Sequence, residues 1–147
     1  MTLYVWLKFF HLAALTMFLF GHGVSGFASL ALRGPVSANT RTLLGLSQRS
    51  AMVSSPALLV ILITGVWMTF AGHWASNVWP WAALAVLVVV SAAMGLIARP
   101  YYLARDASKG PDDVLAQKLS LTHPALAVWI GGIGLLVLLA LMVFKPF

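Results

Sequence analysis

Four histidines are the residues best equipped for chemistry in this 147-residue chain. His11 and His22 lie within one apolar stretch, His73 ends a second, and His123 opens a fourth. An imidazole surrounded by hydrocarbon is costly unless it is hydrogen-bonded or ligates something. Each of the four is therefore a candidate for function. On a helix, eleven residues at about 100° each return His22 to within about 20° of His11, about 16 Å further along the axis. Alternating helix directions would bring His73 to the end that holds His11, and His123 closer to His22. The sequence thus offers an outer pair and an inner pair. Two imidazoles from facing helices are the axial set of a six-coordinate haem, and helical bundles build such sites in their cores. Haem b, one or two copies, is the expected cofactor.

The neighbours of these histidines fit a flat ring. Gly21, Gly23 and Gly26 surround His22, Gly131, Gly132 and Gly134 lie in the fourth stretch, and Gly72 precedes His73. A macrocycle can lie against a helix only where side chains are absent. Porphyrin propionates would meet Arg33, Arg99 or Arg105 at the inner edge and Lys8 at the outer one. The same residues have plainer uses. Glycines at such spacing also serve close helix packing, and His22 could hydrogen-bond a carbonyl or Ser25. His73 and His123 lie near interfaces, where a solvated ring costs little. Copper is a rival occupant of the imidazoles, with Met17, Met52, Met68, Met94 and Met142 as soft ligands, although these are scattered and methionine is also a common gap-filler.

Other chemistries lose support. The chain has no cysteine, which removes disulfides, thiolate metal sites and cysteine nucleophiles. It has no glutamate, and Asp106, Asp112 and Asp113 all fall in one polar connection, so neither hydrolysis nor proton pumping has a carboxylate to use. The string GHGVSG follows no strand and is not a phosphate loop.

The elements that position the histidines follow from composition. The chain is 61% hydrophobic and 8% charged, with mean hydropathy +0.96, against roughly a quarter charged in soluble domains. A bilayer core takes about 20 residues of helix to cross. Spans are expected over about 3–32, 51–73, 79–103 and 122–143, as one all-α transmembrane domain filling 1–147, an up-down four-helix bundle. Arg33, Gly34 and Pro35 should stop the first span. Residues 33–50 and 104–121 read as polar connections, the former with a short amphipathic turn near Thr42–Arg49. Pro56 should sit in the first turns of the second span, Pro100 should bend or end the third, and Thr122 reads as an N-cap. The first apolar run lacks a basic lead and is too long for a signal peptide, so it should persist as a helix.

The two longer connections, with Arg99 near the end of the third span, hold seven of the nine Lys and Arg residues, and Lys8 and Lys145 face the other way. That bias puts both termini outside, in the periplasm. Trp6, Trp74, Trp79 and Trp81 then form an outer aromatic belt. The net charge of +6 reads as orientation, not as nucleic-acid binding.

Three strings point to a family. LYVWLKFFHLAAL, with Lys8 and His11, resembles the opening helix of HemJ-type protoporphyrinogen oxidases. SPALLVILITGVWM, with Pro56, Gly65 and Trp67, resembles their second helix, and ALMVFKPF, with Lys145 and Pro146, resembles their close. The layout is also similar to copper-resistance D-type proteins and to a related family of small predicted integral membrane proteins of bacteria. The resemblance implies an inner-membrane bundle in which His11 serves haem b. The third span departs from HemJ-type proteins in having neither lysine nor histidine, which counts against protoporphyrinogen oxidation. The expected function is haem b binding with a redox or electron-transfer role. The alternatives are an accessory subunit of a larger membrane complex, or a homo-oligomer, packed through its glycine faces, and the HemJ-like oxidase itself.

Overall fold

The computed structural model describes residues 2–32 and 35–146; the expected roles of Arg33 and Gly34 lie outside them. Five helices follow one another: α1 Leu3–Ala31, α2 Ala38–Ala71, α3 Trp79–Ala107, α4 Asp112–Ser120 and α5 Pro124–Phe144. Among the described residues there is no strand. Four of the helices are long and apolar enough to cross a membrane, and α4 is not.

The second helix is longer than its apolar stretch. It begins at Ala38, not near residue 51, so most of the expected polar connection is helix. Hydropathy marks only the apolar part, whereas the start is set by local bonding: the Ser37 N–H donates to Thr40 Oγ1 at 3.0 Å, as in one half of a capping box. Pro56 therefore sits mid-helix instead of in a first turn. The two serines before it bond back one turn within the helix, Ser54 Oγ donating to the Ser50 carbonyl and Ser55 Oγ to that of Ala51. Helix α3 likewise continues through Pro100 to Ala107. The 104–121 connection folds a short helix, α4, whose start is fixed when Arg41 donates to the Ser108 and Gly110 carbonyls and pairs with Asp112 at 2.8 Å. Thr122 does not cap α5; its hydroxyl donates back to the Leu119 carbonyl, and His123 takes the N-cap position.

Most of the buried residues are small or polar, and many of the large apolar ones point outward. Helix α1 buries Leu7, Ala14, Gly21 and Ala28, seven residues apart, and α2 buries Ser50, Ala57 and Thr64 at the same interval. Phe20 and Phe27 meanwhile are 75% and 77% exposed. A seven-residue period keeps one stripe of each helix in contact with its partner, and small side chains let backbones approach closely. Residues of the two helices meet in reverse order: His11 with Thr64, Gly21 with Ser50 and Ser54, Ser25 with Ser47. Helices α3 and α5 form the second close pair, where Gly134 faces Val90. The two pairs touch each other more sparingly.

Candidate functional site

His11, one turn after Leu7 and buried beside the α1 stripe, projects into α2. Its Nδ1 lies 2.9 Å from Thr64 Oγ1. The Thr64 hydroxyl spends its proton on the Val60 carbonyl at 2.6 Å, so it can only accept from His11. The Nδ1–H therefore donates to Thr64, and Nε2 carries the free lone pair. This is how ligating histidines are oriented: one ring nitrogen is fixed by a hydrogen bond while the other stays available. The ring also rests on Gly65, where an added Cβ would stand 3.3 Å from His11 Cε1. Gly65→Ala is expected to displace the imidazole by a few tenths of an ångström. Weaker ligand binding with an unchanged unfolding temperature would show it, and unchanged binding would refute it.

Beside His11, an apolar cavity of about 390 Å³ lies between the α1/α2 pair and the α3/α5 pair. Lys8, His11, Phe18, Gly65, Trp79 and Lys145 are among its lining residues. Its size falls in the range of small-molecule and cofactor pockets. Lys145 lies over the Trp74 ring at 4.0 Å and near that of Trp79 at 5.5 Å. The Trp79 indole N–H is buried without a partner among the described residues. Two cations therefore line an otherwise apolar chamber.

The other expected residues are placed apart from this chamber. His22 does not line it. The α1–α2 seam keeps a seven-residue period, so eleven residues carry His22 past the seam to the flank facing α5. There its ring stacks on Phe18 at 5.2 Å, and its Nε2 and the Met94 sulfur stand 3.1 and 3.8 Å from where a Gly131 Cβ would be. Around Gly23 there is open space, whereas a Cβ on Gly26 would meet Val128 at 3.7 Å, an ordinary packing contact. Gly21 and Gly134 serve packing outright, since added Cβ atoms would press on Ser50 and Val90. Arg99 is exposed.

His73 is exposed and has φ 58°. It ends α2 in a Schellman arrangement, its own N–H donating to the Phe70 carbonyl and that of Trp74 to Thr69. Histidine is one of the residues that tolerate this left-handed backbone. His123 is exposed at the start of α5. Among the described residues no hydrogen bond joins two histidines, and no three of His, Asp and Glu gather as a metal cage.

Thr64, Gly65 and Trp79 were not marked as site residues by the sequence. The available signal was spacing: Thr64 continues the seven-residue stripe of Ser50 and Ala57. Compared with known proteins, the chain matches no family model, no curated protein and no solved structure.

Proposed function

We propose that this chain is a multi-pass protein of the bacterial inner membrane that binds haem b at His11 and serves redox chemistry or electron transfer. The observation behind the reading is the His11 imidazole, fixed by Thr64 through Nδ1, on the wall of an apolar chamber. A porphyrin supplies four of the iron ligands itself, so one or two protein ligands suffice; the scarcity of clustered ligating side chains suits such a group better than a bare ion. When bound, haem would supply a one-electron iron couple. The residues do the rest: His11 offers Nε2, the walls are apolar, and Lys8 and Lys145 offer countercharge to propionates. The test is the absorption spectrum of protein purified in mild detergent and supplied with haem. A Soret band and a reduced α band are expected, and their absence ends the reading.

Membrane insertion is supported by the inverted distribution of side chains. Helix α5 buries only Gly134, and so large an apolar surface suits lipid, not water. The basic residues then put Lys8, Trp74, Trp79 and Lys145 at the periplasmic side with both termini, and α4 in the cytoplasm. The absence of cysteine makes this testable with single reporters. A cysteine at Ser76 should react with an impermeant maleimide in intact spheroplasts, and one at Lys109 should react only after lysis. The opposite pattern would invert the topology.

Gly95 and Gly132 have no neighbour within 4 Å of an added Cβ. Such open small-residue faces suit a further helix, which favours a homo-oligomer or a place in a larger membrane complex as the setting of the haem protein.

A further inference from the structure

One side chain bridges the chamber at the end where α2 and α5 finish. Around the bundle α1 packs on α2, α2 on α3, α3 on α5 and α5 on α1, whereas α2 and α5 make no close backbone approach. These two helices stand on a diagonal, and residues of both line the chamber. Lys145 follows the end of α5, and Trp74 stands three residues past the end of α2. The Lys145 ammonium lies 4.0 Å from the centroid of the Trp74 ring and 5.5 Å from that of Trp79, so it crosses that diagonal. The two indoles meet edge to face, with 5.7 Å between their centroids. All three residues line the chamber.

The backbone bends to make this bridge. Lys145 has φ 46° and ψ 58°, the left-handed region where glycine is the usual residue at a helix end. Another residue keeps that conformation only where its surroundings fix it. The Lys145 N–H donates to the Leu141 carbonyl at 3.2 Å, and its side chain gains the indole faces, which attract an ammonium. The far end of the bridge is fitted as well. A Cβ on Gly72 would collide with the Trp74 indole, so glycine there lets the ring fold back over the helix end. No side-chain carboxylate competes for the charge. The three in the chain stand near the end of α3 and in the first turn of α4, and the run of α3 from Trp79 to Asp106 is about 40 Å long. An indole face holds an ammonium less tightly than a carboxylate does. The Lys145 charge therefore rests on a weak partner and passes to an acidic group brought within reach.

We infer that Lys145 is a lid that gives the chamber its preference for an acidic ligand: its ammonium leaves the faces of Trp74 and Trp79 for a carboxylate of the group that binds. This role rests on the chamber being the ligand site proposed above, and its test uses no iron. The full chain in a maltoside detergent is titrated with mesoporphyrin, a metal-free macrocycle with two carboxylates, or with its dimethyl ester. Quenching of tryptophan emission follows the binding. The diacid should half-saturate at a concentration about tenfold below the diester, the gain of one charge-assisted hydrogen bond. Lys145→Gln should erase that difference by weakening the diacid alone, and Lys145→Arg should keep it. Trp74→Leu should act in the opposite sense, strengthening the diacid about threefold relative to the diester, because the ammonium then has one indole fewer to rest on. Lys145 is exposed past the end of α5, so its replacements should unfold close to the parent temperature. Equal binding of diacid and diester by the parent overturns the inference, as does no binding of either or an equal loss of both in Lys145→Gln. The haem reading is judged apart, by the Soret band. A Soret band together with equal binding of the two porphyrins removes only the lid, whereas a diacid preference that depends on Lys145, with no Soret band, removes only the haem.

Discussion

On the proposed haem site, His11→Ala is expected to abolish the Soret band of protein supplied with haem, while His22→Ala, His73→Ala and His123→Ala should keep it. The difference follows from where each ring stands. His11 alone of the four lines the chamber and has its Nδ1 proton committed to Thr64. The ring of His22 is stacked on Phe18, and His73 and His123 are exposed at helix ends. Thr64→Val should act more mildly, because the imidazole remains but loses the acceptor that fixes its tautomer. Losing such an outer partner typically costs about 10- to 100-fold in affinity. Haem titration followed by difference absorbance measures both effects. If His11→Ala binds haem as tightly as the parent, the ligand lies elsewhere and the chamber is not the haem site.

Gly21→Val should give the largest loss of stability of any single glycine replacement between α1 and α2. A Cβ there would stand 2.9 Å from the Ser50 carbonyl oxygen and 2.9 Å from Ser54 Oγ. The first of these is backbone and cannot rotate away, so the helices must separate. Overpacking of this kind costs about 1–3 kcal/mol, and here it also stretches the Ser25–Ser47 bond one turn along and the His11–Thr64 bond three turns away. Gly45→Val in α2 is the matched control, because nothing lies within 4 Å of its added Cβ. Unfolding curves in mixed micelles should shift for the first and hardly move for the second. Equal curves would mean that α1 and α2 do not pack as closely as the contacts require.

The four apolar helices were legible because hydropathy over a long window is a strong signal, and the four predicted spans all fall on them. Less visible was the start of α2. Residues 38–50 are polar, so hydropathy ends near Ala51 while the Ser37–Thr40 contact and the Arg41 clamp carry the helix on. The candidate site was legible in part. His11 and Lys8 were marked by their types. Thr64 was not, because a threonine in an apolar helix gains meaning only from the ring it faces. The likeness of His11 and His22 on a straight helical wheel was misleading for a geometric reason: the α1–α2 seam follows a period of 7, which His22 does not share. The αL turn at His73 could not be read from sequence, since glycine is the usual residue there and it stands one place earlier.

The seven-residue stripes of α1 and α2 are both present by Ala71, before any of α3 has been made. The chain up to Ala71 therefore forms a hairpin that already holds a complete recognition surface. That first half can dock on itself while the second is still being synthesised, and the later helices need only assemble against a finished template.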